Sequence, residues 1–246
     1  MADGNGATQP TSTGPKPPRV LWLSFASLRS AENQDVYARG LARLLVHDFN
    51  RTEPGVAAAA VLTARRGSVK GFVLPQVPSE PGPLVALGQQ LQIPWIVQGF
   101  SRVTADEVDL QVQWVNSEKH QASAVARFSG KRPDLAKVLD QVRKIAGPAF
   151  GIEAAPSMPP PVWAQTNNPD ALYAFLRYLD NSMLLYDPSE RELVGELRDP
   201  IDYLNEAVKL DRAFRAASTA LLAENKGDVN SFGPVLELDV SESALL

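Results

Sequence analysis

Few residues of this chain have the chemistry of a catalyst. Its 246 residues include two histidines, His47 and His120, and no cysteine. A thiol nucleophile, a thiolate metal site and a disulfide are therefore excluded. A metal centre or an acyl-transfer triad needs several convergent groups. His47 falls on a stretch of helical periodicity and His120 in a turn, so packing and surface roles are the reading for both. No Gly-rich dinucleotide fingerprint, phosphate-binding loop or Gly-x-Ser-x-Gly elbow occurs. Ser24 follows an apolar run without an elbow and reads as ordinary. The acidic pairs Asp106-Glu107 and Glu190/Glu192 read as solvated turns and helix faces. No catalytic residue, cofactor site or metal site is predicted, and the chain reads as a non-enzyme. The segment Arg65-Arg66-Gly67-Ser68-Val69-Lys70 is the best basic patch. Its plain reading is a solvated loop. The functional alternative is that Arg65, Arg66 and Lys70 hold a phosphate, or that Ser68 is phosphorylated and switches the local charge.

The bulk composition narrows the classes further. A net charge of -4 and a pI near 5.3 argue against binding driven by neutralisation of nucleic-acid phosphates. With 44% hydrophobic and 21% charged residues the chain can build an ordinary globular core. No run approaches the ~20 apolar residues of a membrane helix. Met1–Pro18 has no apolar core of a secretory signal. The expectation is a cytoplasmic protein that does not insert in a membrane. Among the tryptophans, Trp22, Trp95 and Trp114 fall on predicted strands and read as core. Trp163 follows Pro159-Pro160-Pro161 and is expected to dock a linker onto a domain, with a proline-rich ligand for a partner domain as the alternative.

The elements that would position these groups follow from periodicity. Residues 1–18 are predicted to be a disordered tail. Val20–Phe25 is a short apolar run and predicts a buried strand. Tyr37, Leu41, Leu44, Leu45 and Phe49 share one helical face, and Pro54-Gly55 ends that helix. Val56–Thr63 predicts a second strand, and Ala64–Pro81 a loop. Leu84, Leu87 and Leu91 mark a helix closed by Pro94, and Trp95–Val103 a strand. Val108, Leu110, Val112 and Trp114 alternate with polar residues, and Ala122, Ala124, Ala126 and Phe128 alternate again. Leu135, Val138, Leu139, Val142, Ile145 and Ala146 form a helical stripe ended by Gly147-Pro148. The predicted fold class is an α/β (α+β) sandwich, a mixed sheet with covering helices, followed by an all-α region. The predicted domains are 19–150, a Pro-rich linker at 151–167, helices at 168–226, and an acidic tail at 227–246 that is either disordered or an extended docking strand.

Two stretches resemble known families. Val20–Phe25, Tyr37-Ala38-Arg39-Gly40-Leu41 with Leu45, Ala86-Leu87-Gly88 and Trp95-Ile96-Val97-Gln98-Gly99 resemble the amino-terminal α/β domain of TolB and its cytoplasmic relatives. Asn168-Pro169-Asp170-Ala171 with Leu176-Arg177, and Ile201–Asp211, resemble the tetratricopeptide region that follows such domains in bacterial regulatory proteins. Arg212, Pro200 and Tyr178 depart from the repeat pattern, and at most about two repeats fit, where about three are needed for an independent stack. The resemblance implies a protein-binding role. The shortage of repeats implies leftover apolar surface that must pack on the first domain, on another copy or on a partner. The expected function is a non-enzymatic adaptor or scaffold subunit of a bacterial assembly. A regulatory small-molecule sensor using loop 64–82 and a self-assembling structural subunit are the alternatives. Tyr173, Phe175, Tyr178, Tyr186, Leu204 and Phe214 are the expected partner-binding residues, since aromatic side chains dominate interface hot spots. The expected partner is another protein or another copy of the chain, with no nucleic acid and no cofactor.

Overall fold

A computed structural model describes residues 17–27, 37–66, 69–73, 75, 77–153, 160–182, 199–226, 232 and 234–239. Among them, eight strands form one mixed sheet. β1 (Val20–Leu23) lies between β2 (Ala57–Arg66) and β4 (Trp95–Val103) and is parallel to both. β5 (Glu107–Asn116) follows antiparallel to β4. Along the far edge of β5 lie β6 (Gln121–Ala122) and β7 (Ala126–Lys131). On β2, Leu62 is paired with both Val73 of β3 (Val69–Val73) and Leu238 of β8 (Val235–Asp239). A strand residue has one neighbour per side, so β3 and β8 lie on opposite edges of β2. β8 shares Ala59 and Ala60 with β1, which makes β8 the outermost strand.

β1 is apolar without alternation because both of its faces are covered. Val20 and Trp22 enter one core, and Leu21 and Leu23 enter a second. The first core is capped by α1 (Ala38–Thr52) and α3 (Leu135–Ala149), and the second by α2 (Pro81–Leu91). A further helical layer lies outside α1: α4 (Pro169–Ser182) packs on α1, α5 (Pro200–Leu210) on α4, and α6 (Arg215–Glu224) on α5. Helices thus lie on both sides of a mixed sheet, as the α/β expectation requires.

Several boundaries differ from the sequence reading. The predicted loop 64–81 contains strand: β2 continues to Arg66 and pairs back on β3 (Val69–Val73) with Arg65 opposite Lys70. Val69, Phe72 and Val73 are strong strand formers, a signal outweighed in the reading by the nearby arginines and prolines. The last predicted strand is broken at 123–125, where Ser123 Oγ accepts from Trp114 N–H and its own N–H donates to Trp114 O. α2 stops at Leu91 rather than Pro94, with Gln92 in the left-handed region at φ 57°. α3 carries Pro148 inside its last turn and runs to Ala149. Pro200, anomalous for a repeat, is the first residue of α5, where its missing N–H costs nothing, and Asp199 caps it by accepting from Ile201 N–H.

The separation expected between an α/β domain and a helical region is absent from the core. One contiguous apolar cluster runs from Val20 and Trp22 through Leu139 and Trp163 to Phe175, Leu204 and Phe214. Trp163 sits in a 3-10 turn (Val162–Ala164), is fully buried and donates its indole N–H to Asp140 Oδ1 at 2.8 Å. In the described part of the acidic tail, Phe232 is buried in the first core, and β8 turns Leu236 and Leu238 toward the second.

The seam between α1 and α4 is the most specialised contact in the fold. The Tyr37 side chain at the N-cap does not cap α1, and the first amides take an acceptor from elsewhere. Asp180 of α4 supplies it: Oδ1 accepts from Arg39 N–H at 2.7 Å and from Gly40 N–H at 3.1 Å, and Oδ2 accepts from Arg39 Nη2 at 2.9 Å. Gly40 allows the approach, because a Cβ there would run into the backbone carbonyl of Leu176. One turn on, Arg43 donates to the Leu179 carbonyl at 3.0 Å and to Ser182 Oγ.

Candidate interaction surface

The groups with reactive potential are engaged in packing. His47 is half-buried on α1 with its ring 4.9 Å from Phe232. Burial, aided by Arg51 and Arg43, pulls its pKa down to about 4, so it is neutral. His120 is exposed in the β5–β6 turn at φ 53°, with Nε2 2.8 Å from Gln89 Nε2. Asp48 is buried and pairs with Arg143 at 2.6 Å and Arg51 at 3.2 Å. Burial nevertheless raises its pKa, with Arg143 opposing. Ser24 donates to the Ala60 carbonyl at 3.0 Å. Among the described residues no group of three or more acidic or imidazole side chains is placed to hold a metal.

The expected partner-binding residues do not form a surface. Tyr173, Phe175, Tyr178, Leu204 and Phe214 are all buried, and this corrects the sequence reading. The Phe175 ring lies 5.2 Å from Phe214 and 5.4 Å from Phe232. Tyr173 donates its hydroxyl to the Arg132 carbonyl at 3.0 Å beneath the Arg132 guanidinium, 4.0 Å from the ring centre. Tyr178 donates to Glu224 Oε1 at 2.7 Å. Burial raises both phenol pKa values. The aromatic stripe is the inside of the helical layer. Its amphipathic face was legible, but the element that covers it was not. Tyr186 lies outside the described residues, as do Glu190 and Glu192. Arg65, Arg66 and Lys70 lie on the β2–β3 hairpin, and Ser68 lies outside the described residues.

A crevice does open beside this hairpin. It is lined by Leu23 and Ser24 of the β1 end, Leu62, Pro75, Ser79 and Gln98. It sits where β1 and β4 part, the usual ligand position in open α/β sheets. Its polar lining is already satisfied: Gln98 accepts from Ser79 N–H at 2.8 Å and donates to Ser79 O at 2.7 Å, as a strand neighbour would. The free volume is near 10 Å³, room for a single water, where a bound metabolite needs hundreds of Å³.

The surface that no motif announced is the second face of the sheet beyond α2. α2 closes over Ile93, Ile96 and Val115, with Gly88 against Ser117. Past that point β4, β5 and β7 carry no helix on this face among the described residues. The register sets Gln98 beside Gln113, Phe100 beside Gln111 and Arg102 beside Asp109, and places Arg127 next to Gln111. Arg102 and Asp109 form an ion pair at 2.5 Å, and Phe100 is only partly buried. The opposite face of the same strands is core, with Val103, Val108, Leu110 and Val112 all buried. The period-2 pattern at 108–114 contained this face as its polar half. No sequence feature marked it as more than solvated.

No known protein-family model matches the chain, and no curated protein matches it. Among solved structures, two PelC dodecamers from Paraburkholderia phytofirmans resemble part of it. One covers 47% of this chain and 73% of its own at 6% identity and TM-score 0.30. The other covers 56% and 89% at 8% identity and TM-score 0.32. TolB from Acinetobacter baumannii matches over 56% of this chain and 28% of its own, at 15% identity and TM-score 0.31. These are partial likenesses, and no function is carried over from them. No helix of the described residues is long and apolar enough to cross a membrane.

Proposed function

We propose that the chain is a non-catalytic, cytoplasmic interaction subunit, an adaptor or scaffold that binds another protein or another copy of itself through the uncovered half of its sheet. The observation that supports this is the β4–β5–β7 face, backed by the buried core on its other side and left without a helical cover among the described residues. One aromatic residue, Phe100, lies there among Gln111, Gln113, Arg127 and the Arg102–Asp109 pair. A polar surface with an aromatic anchor suits a non-obligate interface better than an obligate one.

The test is a pull-down from native lysate with mass-spectrometric identification, alongside light scattering of the purified chain. The Phe100→Glu/Gln111→Lys variant should lose the captured protein, or the self-association, with an unchanged unfolding midpoint. Equal capture by wild type and variant refutes the proposal. A second reading, small-molecule sensing, has the location of the β1/β4 crevice in its favour. A thermal-shift screen with nucleotides and metabolites tests it, and no shift with any compound removes it.

A further inference from the structure

β7 ends the sheet. It pairs with β5 from Glu107↔Lys131 to Val112↔Ala126, and among the described residues no strand pairs with its other edge. An unpaired edge is a template on which an extended chain can add by main-chain hydrogen bonds, with alternate side chains supplying selectivity. The two faces of β7 differ. Phe128 points into the core, and Ala126 packs against that core. Arg127, Ser129 and Lys131 point to the uncovered face and are exposed. Arg102 on that face has Asp109 as its partner, and Glu107, opposite Lys131 in register, lies 4.0 Å from Arg102. Arg127 and Lys131 form no ion pair within 4 Å among the described residues, and Lys131 lies beside Asp134, whose carboxyl pKa it helps to lower.

We propose that the β7 edge takes up an extended acidic segment of a partner protein, one whose acidic residues alternate with apolar ones. This rests on the interaction reading above and names its partner chemistry. Acidic side chains of the added strand would stand beside Arg127 and Lys131, where opposite charges on neighbouring strands attract. The alternate apolar residues would extend the Phe128 side. The opposite end of the sheet shows the same kind of addition within the chain. β8, with the sequence Val-Leu-Glu-Leu-Asp, lies on β2 with its leucines on one face and Glu237 and Asp239 on the other. Cations on an edge strand also repel indiscriminate pairing. Here that repulsion bars a second copy of β7 and any basic strand, while an acidic strand is drawn in.

The probe is a labelled eight-residue peptide alternating Val and Glu, titrated into the full chain by fluorescence anisotropy, with a Val/Gln peptide as control. The Val/Glu peptide should bind saturably and weaken as salt is raised. Arg127→Glu/Lys131→Glu, at two exposed positions, should cut affinity by about tenfold or more with no change in unfolding midpoint. The Val/Gln peptide should bind at least about tenfold more weakly. Absence of saturable binding, equal binding of the two peptides, or indifference to the charge reversals overturns the proposal. If the peptide fails while the Phe100→Glu/Gln111→Lys variant still loses its lysate partner, strand addition is wrong and the interaction reading stands. If capture is also unaffected, both fall.

Discussion

Replacing Asp180 by alanine tests whether the C-terminal helices belong to the core or merely follow it. The carboxylate is 2% exposed, pairs with an Arg39 that is 4% exposed, and accepts from two amides of the first turn of α1. Removing it strands a buried guanidinium, which costs about 3–5 kcal/mol. Loss of the side-chain acceptor that Asp180 gives this helix start adds about 1 kcal/mol. Against a whole-domain stability of roughly 5–15 kcal/mol, this is a third or more. The midpoint should fall by roughly 10–20 °C, at about 2–4 °C per kcal/mol for a chain of this size. Guanidinium unfolding followed by tryptophan fluorescence and far-ultraviolet circular dichroism measures it. Both probes should give one coincident transition in the wild type and in the variant. A loss below ~1 kcal/mol, or a separate early transition for the helices, would refute the argument that α4 caps and locks α1.

Other outcomes follow from the same geometry. Gly40→Ala should destabilise by about 1–3 kcal/mol in chemical unfolding, although alanine is the better helix former, because its Cβ meets the Leu176 carbonyl. Stability should fall as pH drops from 6.5 toward 4: His47 is neutral in the folded chain and takes up its proton only near 4, whereas the unfolded chain takes it up near 6.5. The ceiling is about 3 kcal/mol. Asp48, with its raised pKa, works in the opposite direction near the acid end, so the loss is best read between pH 6.5 and 5 and should vanish in His47→Leu. Deleting residues 234–246 removes β8 and bares the β2 edge. Concentration-dependent association in light scattering is the expected result.

The sequence made the sheet's centre and the α1 and α3 stripes legible because periodicity reports burial directly. The strand read as Val20–Phe25 is found at Val20–Leu23, and the Leu41–Phe49 and Leu135–Ala146 stripes are buried except for Ile145, which is exposed. What it misjudged were matters of partnership. The stripe Leu172, Phe175, Leu176 and Leu179 is apolar, as read, but the need for an outside partner to cover it was inferred from a shortage of repeats. The chain's own α1 and α5, with Phe214 and Phe232, cover it instead, and no tetratricopeptide stack is seen among the described residues. Two clues stood in the open. Arg39 and Arg43 flank Gly40 on α1, a residue small enough for another backbone to approach, and Asp180 lies one turn past Leu176 on α4. No local rule links residues 140 positions apart. The uncovered face and the β7 edge were illegible for the opposite reason: polar alternation looks the same whether water or a partner lies against it.

The Asp180 cap also bears on how the chain is made. Synthesis runs from the N-terminus, so α1 and the strands it covers are complete long before the residue that seals the helix start exists. Until α4 emerges, the outer side of α1 presents two buried-type arginines and a bare first turn to water. A nascent chain halted anywhere before residue 180 is therefore predicted to be a protease-sensitive, chaperone-dependent species, and the final helices act as the step that commits the N-terminal half to its shape.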